Sequence, residues 1–344
     1  MRIWSQSLIA VVQYFAPASL VLTFDDSCLH DKTSSYTLDN IVKRNKNGDI
    51  TNLVLPDRII VTSNHQINAD WAYIWCVSYL AKAHGAMKII LKDSLKHLPV
   101  YGLGMQFFDF IFLKRKMVHD RETIVNNLVR SKQDAIPLWL VLFPEGTVLS
   151  SCTRKRSKDY AEKNDLKDLR NTLLPRSSGL QLCLQTLDNS VDWVYDFTIG
   201  YPGVQPGENP EDIYTIQSIF FFNKQPKHIH IHVRRFHVND IPVNDDTAFS
   251  KWIYQRWVEK DNMMAYFYKE GRFPTNDDQQ HQQDGIQDLN VASPVDRSLV
   301  HPHSITVPIQ LANPVWKLAQ PGLCVLPYLI LIYGIWYFWN HTLF

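Results

Sequence analysis

The sequence predicts an α/β fold, a mixed β-sheet flanked by helices, with membrane-associated segments at both ends of the chain. Three observations carry this. Between Ile59 and Tyr268, short β-rich apolar runs alternate with helical patterns; after Pro274 the chain turns abruptly polar; and positions 323 to 339 hold no charge at all. Strands that alternate with helices build a sheet covered by those helices.

The candidate strands are 59–62, 88–91, 110–113, 138–143, 193–199, 216–222 and 229–234, the last two reading as an antiparallel hairpin at one edge. Helices are expected to begin near Asn68, Ser94, Arg121, Lys158, Ser177 and Thr247, the last capped by Asp246 or Thr247. The polar stretch TNDDQQHQQDGIQDLN and the residues after it, to about Ile309, bury too little apolar surface to offset ordering entropy, so they read as a flexible linker.

Both chain ends carry a membrane expectation. The run LCVLPYLILIYGIWYFW at 323–339 just reaches the lower limit of about 17 residues for a spanning helix. Trp336, Tyr337 and Trp339 crowd one end of it, as an interfacial belt does. Positions 8 to 24 are apolar but interrupted by Gln13 and Pro17; they read as a retained membrane helix or helical hairpin. A secretory signal ending at the A-x-A of Ala16 to Ala18 is the alternative. The expected layout is a membrane-associated segment at 1–30, a catalytic domain at 31–274, a linker at 275–312 and a C-terminal membrane segment at 313–344.

Composition excludes several classes. A net charge of +1 gives no global field to draw the chain to nucleic acid. The 5 cysteines are scattered, with no C-x-x-C pair, which favours free thiols over a disulfide framework or a zinc site. His228, His230 and His232 alternate on one face of a strand, but nothing nearby completes a ligand set, so no metal is expected. The aromatic and Met residues of the helix from Thr247, among them Trp257 and Met264, read as core, with the border of an apolar ligand tunnel as the alternative.

Chemistry concentrates at strand ends. Ser63-Asn64-His65-Gln66-Ile67-Asn68-Ala69-Asp70 comes directly after the apolar run IIVT. Within one helix, residues five apart point about 140° away from each other, so His65 and Asp70 meet only if a helix starts between them. With Asn68 as N-cap, Asp70 falls in the first turn, where it accepts the Nδ1–H of His65 and frees Nε2 to take a proton. Phe143-Pro144-Glu145-Gly146-Thr147 ends the strand LWLVLF, and Gly146 permits positive φ or a close backbone approach, which suits a phosphate or an oxyanion. Phe110 to Leu113 end in Lys114, Arg115 and Lys116, able to clamp a phosphate. Each motif alone is also compatible with an ordinary loop, turn or solvated strand end.

Their order is specific. An N-H-x4-D loop, then FIFLKR, then FPEGT resembles the glycerolipid acyltransferase family, the PlsC-like 1-acylglycerol-3-phosphate acyltransferases. LLPRSSG, VYDFTIGYP, HIHVRRF and RWVEKDNMMAYFY look most like the branch of lysocardiolipin acyltransferases and fungal phosphatidylinositol-remodelling enzymes. The resemblance implies His65 as general base, Asp70 as its orienting partner, and Lys114, Arg115, Glu145, Gly146 and Thr147 as residues that hold the acceptor. It also implies acyl-CoA as co-substrate with no cofactor, a lysophospholipid as acceptor, and a membrane of the endoplasmic reticulum or its lipid-droplet contacts. Many relatives carry arginine after EGT; here the residue is Val148, so phosphate binding is expected to shift to Lys114, Arg115 or the Arg154-Lys155-Arg156 cluster. A catalytically silent lipid-binding scaffold is the alternative.

Overall fold

The computed structural model describes residues 1–31, 34–35, 37–98, 101–114, 117–274 and 303–320. Arg115, the expected C-terminal membrane run at 323–339 and residues 275–302 of the expected linker lie outside them. Eight strands form one mixed sheet: β1 (Ser19–Phe24), β2 (Arg58–Ser63), β3 (Met87–Lys92), β4 (Ile111–Leu113), β5 (Leu138–Leu142), β6 (Trp193–Gly200), β7 (His228–His237) and β8 (Ser304–Pro308). Their spatial order is β8-β1-β7-β6-β2-β5-β3-β4. From β4 to β6 all neighbours are parallel. β7 then runs antiparallel to β6, β1 parallel to β7, and β8 antiparallel to β1.

The principal helices are α1 (Arg2–Phe15), α2 (Asp70–Leu80), α3 (Tyr101–Phe107), α4 (Met117–Asp134), α5 (Ser151–Lys163), α6 (Ser177–Leu187) and α7 (Asp246–Glu270). They cover both faces of the sheet, and this is why the central strands read as unbroken apolar runs. Ile59, Val61, Trp139 and Val141 pack into a core with Ile9 of α1 and Trp75 of α2. Ile60, Leu138 and Leu140 point the other way, into a core with Leu128 of α4, Leu184 of α6 and Trp257 of α7. The period of two along each strand thus feeds two separate cores.

Four expectations are corrected. The apolar stretch at 8–24 is neither a spanning helix nor a helical hairpin. α1 is 14 residues long, and 19–24 form β1, paired on both sides within the sheet. Among the described residues, no helix is long and apolar enough to cross a membrane. Ile216–Phe220 is a short helix rather than a strand, because Thr215 Oγ1 accepts the Ser218 N–H at 3.0 Å and caps it. The antiparallel partner of β7 is therefore β6, not a hairpin strand at 216–222. Finally, Ser304–Pro308, read as linker, is the edge strand β8.

Helix starts also shift where a cap decides them. α5 begins at Ser151 rather than near Lys158, because Ser150 and Thr153 form a reciprocal capping box. The N-cap of α7 is Asp245, whose carboxylate accepts the Thr247 and Ala248 N–H groups at 2.9 Å each. The helix ends at Gly271, whose φ of 72° is the left-handed cap that glycine adopts without strain.

Candidate active site

The parallel strands β2, β5 and β6 deliver their carboxyl ends to one place, where ligands of such sheets characteristically bind. β2 leads into Asn64 and His65. Asn64 is fully buried, and its side-chain amide bonds both polar groups of the Ile199 peptide, donating to the carbonyl at 2.9 Å and accepting the N–H at 2.8 Å. The side chain so extends the β2–β6 ladder by one step and pins the loop carrying His65 to the end of β6.

His65 Nδ1 lies 2.9 Å from Asp70 Oδ2. That oxygen also accepts the N–H groups of Gln66 at 2.7 Å and Ile67 at 3.1 Å. Oδ1 accepts the Tyr201 hydroxyl at 2.5 Å. Every partner of this fully buried carboxylate is a donor, so Nδ1 carries the proton and Nε2 holds the lone pair. Nε2 makes no hydrogen bond to the described residues. The ring stacks on Phe143 at a centroid distance of 4.2 Å, which fixes its plane from the β5 side. Burial and the neighbouring Asp70 raise the Tyr201 pKa well above the ordinary phenol value, so Tyr201 remains a donor.

The helix does start between His65 and Asp70, but its N-cap is Ala69, with Asp70 as first residue. Asn68 is drawn instead to Glu211, which accepts its backbone N–H at 2.6 Å and its side-chain amide. Glu211 stands on the short helix Pro210–Ile213.

Glu145 lies in the turn that follows β5. Its carboxyl is buried, with the Trp257 indole N–H donating to Oε1 at 3.1 Å, while Oε2 makes no hydrogen bond. Burial pushes its pKa up to about 8; Trp257, the Leu173 and His65 backbone amides and Lys260 act in the opposite direction. The buried carboxyl thus lies against the His65 loop and α7. The shift also gives the pH effect its sign. The contribution of Glu145 to stability is complete below about pH 4.5 and is lost as pH rises through about 8. Glu145→Gln, which mimics the neutral form, is expected to flatten that slope; thermal midpoints between pH 5 and 8.5 check it.

Gly146 has φ of 72°, needed for the tight turn after Pro144, and is exposed. Thr147 and Val148 are half-buried beside it. The Arg176 backbone N–H bonds the Pro144 carbonyl at 2.8 Å, and its side-chain Nε would lie 3.8 Å from a Cβ on Gly146. This guanidinium beside the EGT turn was missed by sequence reasoning, although LLPRSSG contains it. Arg154, by contrast, is engaged structurally, with Nε donating to Asn209 Oδ1 at 2.9 Å and a second bond to the Arg170 carbonyl.

Lys114 is exposed at the end of β4. Three strand spacings separate β4 from β2, about 14 Å, so Lys114 shares the carboxyl edge without touching His65. The structure therefore brings together His65, Asp70, Glu145 and the Gly146–Thr147 turn, adds Tyr201, Phe143 and Asn64, and leaves Lys114 at the periphery. Among the described residues no cluster of His, Cys, Asp or Glu is placed to hold a metal. His230 and His232 pack edge-on against Phe267 and Phe273, and burial lowers both to about 4, so they are neutral core residues.

Comparison with known proteins agrees with this architecture. Residues 43–190 match the family described as Acyltransferase, and residues 220–293 the one described as Acyltransferase C-terminus. An uncharacterized acyltransferase of Schizosaccharomyces pombe is 39% identical over 77% of this chain and 72% of its own length. The 2-acyl-1-lysophosphatidylinositol acyltransferase of Saccharomyces cerevisiae is 35% identical over 79% of this chain and 75% of its own. Lysocardiolipin acyltransferase 1 of Gallus gallus is 34% identical over 63% and 55% respectively. With relatives of this identity and coverage, and a His65–Asp70 pair at the carboxyl edge of its sheet, this chain belongs to the acyltransferase family and is an enzyme that acylates glycerolipids.

Proposed function

We propose that the chain is a membrane-associated acyl-CoA:lysophospholipid O-acyltransferase, with His65 as general base and Asp70 as its orienting partner. The observation that carries this is the His65–Asp70–Tyr201 chain with Nε2 left open at the strand ends. The acceptor hydroxyl gives its proton to Nε2 as its oxygen bonds the thioester carbonyl carbon. The C–S bond then breaks, and the imidazolium returns the proton to the departing thiolate. Asp70 stabilises the imidazolium between these steps without taking its proton. No side-chain nucleophile is needed, because the acceptor supplies the oxygen.

The acceptor is a lysophospholipid of the lysophosphatidic acid or lysophosphatidylinositol type. Two of the relatives above are named for transfer to 2-acyl-1-lysophosphatidylinositol and to lysocardiolipin. With Val148 after the EGT turn and Arg154 engaged, Lys114 at the end of β4 and Arg176 beside the turn are the described cations nearest the site for its phosphate, with Arg115 as the sequence-based candidate beside them; the distance between Lys114 and Arg176 favours an acceptor larger than lysophosphatidic acid. Gly146 and Thr147 would border the acceptor between them. The test is acyl transfer in microsomes carrying the full chain, with labelled oleoyl-CoA and a panel of lysophospholipids. Transfer to lysophosphatidylinositol above lysophosphatidic acid is the expected result. No transfer to any acceptor would leave a silent lipid-binding scaffold as the better reading.

A bilayer surface, that of the endoplasmic reticulum, is the proposed setting. α1 is apolar on both faces. Leu8, Ile9 and Val12 are buried, while Ile3, Tyr14 and Phe15 are exposed on the outer side. α3, which packs on α1 through Trp4 and Tyr101, exposes Leu103 at 72% and Phe107 at 83%. Exposed apolar surface of this extent supports interfacial contact. A fluorophore on Phe107→Cys is expected to be quenched by doxyl-labelled lipids in vesicles, and one on Lys155→Cys, among the bases of α5, to be quenched less.

A further inference from the structure

One face of α7 bonds four separate stretches of chain: the His65 loop, the turn after β5, β6, and the segment 170–172. Trp257, Lys260, Asp261, Met264 and Tyr268 keep the i, i+3, i+4, i+7, i+11 spacing of a single helical stripe. Trp257 bonds Glu145 of the turn after β5. Lys260, fully buried, donates to Asp196 Oδ1 at 2.9 Å, the Phe197 carbonyl at 2.6 Å and Thr198 Oγ1 at 3.2 Å, within β6. Asp261 accepts the N–H groups of Arg170, Asn171 and Thr172 at 3.2, 2.6 and 3.0 Å. Met264 Sδ receives Asn64 Nδ2 at 3.9 Å, and the Tyr268 hydroxyl donates to Gln66 Oε1 at 3.1 Å. Asn64 and Gln66 are the two residues that flank His65.

Core packing alone does not account for this stripe. A buried lysine and a buried aspartate are expensive choices for stability, and apolar residues of similar volume would pack at least as well. What the polar members share is that each bonds a segment at the site or one that leads into it: β6 runs on to Tyr201, and Asn171 is bonded to Gln66. Gln66 closes the circuit: its Nε2 donates to the Asn171 carbonyl at 3.0 Å, so Tyr268 and Asp261 grip the same junction from two sides. Close approach is built in as well. A Cβ on Gly200, the last residue of β6, would lie 2.9 Å from the Phe267 ring, so only glycine lets the helix settle at this depth.

We propose that α7, which falls within the Acyltransferase C-terminus match, is the splint of the active site, and that Tyr268 is a positioning residue for His65 acting through Gln66. The proposal rests on the reading of His65 as the base. Tyr268 touches no reacting atom; its hydroxyl holds the Gln66 side chain, whose backbone N–H is one of the donors that orient Asp70.

The experiment measures kcat, both KM values and thermal midpoints for the full chain in its membrane. The variants are Tyr268→Phe, Gln66→Ala and the two combined, beside wild type and His65→Ala. Tyr268→Phe keeps the ring and removes one hydroxyl, so it is expected to fold. A small displacement of the base lowers the rate of the chemical step more than binding, so kcat is expected to fall about three- to tenfold with both KM values within about twofold. Because the two residues act as one unit, the double variant is expected to match Gln66→Ala rather than multiply the two losses. Wild-type kcat in Tyr268→Phe, a change confined to KM, or losses that multiply in the double variant would each overturn the proposal. The function itself is tested separately in the same assay: inactive wild type refutes the acyltransferase reading, whereas active wild type, inactive His65→Ala and normal Tyr268→Phe refute only the splint.

Discussion

His65→Ala is expected to lower acyl transfer by about two to four orders of magnitude, the usual contribution of a positioned base. Protein level and thermal midpoint should be nearly unchanged, because the ring is partly exposed and packs chiefly on Phe143. Asp70→Asn should approach the same loss by a different route. An amide can turn its NH2 group toward Nδ1, favour the other tautomer and occupy the nitrogen that takes the proton. Unlike His65→Ala, it should also destabilise, since Gln66 N–H, Ile67 N–H and the Tyr201 hydroxyl all lose a charged acceptor. Tyr201→Phe removes one donor from Asp70 and should have the mildest effect of the three. Rates of labelled acyl transfer at matched protein levels check the order. Full activity in His65→Ala would refute the base assignment.

The second large effect is on stability. Asp196→Ala is expected to lower the thermal midpoint by about 10 °C. Asp196 is buried between two cations, accepting Lys260 Nζ on Oδ1 and Arg234 Nε on Oδ2, each at 2.9 Å, with Thr62 Oγ1 adding a bond at 2.8 Å. Burial alone would raise its pKa, but Lys260 and Arg234 more than reverse this and hold the carboxyl below its ordinary value. Removing it leaves Lys260 without its anionic partner and takes one of two from Arg234, a lesion that costs about 3–5 kcal/mol, equivalent to roughly 2–4 °C per kcal/mol for a domain of this size. Arg234 keeps Glu259 as a partner at 2.7 Å, whereas Lys260 keeps only neutral acceptors. Lys260→Met added to Asp196→Ala should therefore recover part of the loss, a coupling of neighbours that a double-mutant cycle in thermal midpoints reads directly. A variant as stable as wild type would show that the cluster is far better solvated than its burial indicates.

Much of the sheet was legible because its parallel strands are buried on both faces and so appear as short apolar runs bounded by turn residues. The same rule misled at 19–24: an interior strand just after Pro17 looks like the second half of an apolar helix, and periodicity does not separate the two. At 216–222 the apolar run is equally ambiguous, and one threonine cap settles it as helix. β8 was invisible, being a five-residue edge strand with alternate positions exposed, set after a polar tract. At the site, the His65–Asp70 contact was readable because five residues and one helix start define it. Tyr201 was not, lying 131 residues from Asp70 in sequence, and neither was the depth of Glu145, which depends on Trp257 crossing from α7. Local chemistry is written in motifs, whereas burial and long-range donors depend on how strands and helices are stacked.

The pairing of β1 with β7 joins Ser19 to His228 and Phe24 to Val233, about two hundred residues apart. During synthesis at about 5–20 residues per second, β1 must wait roughly 10–40 s before its partner strand exists. β8 then closes its other edge only after residue 308 has emerged. For that interval the nascent chain carries an unpaired apolar strand directly behind a helix that is apolar on both faces. An apolar surface that shelters both over that interval is therefore expected to raise the yield of folded chain.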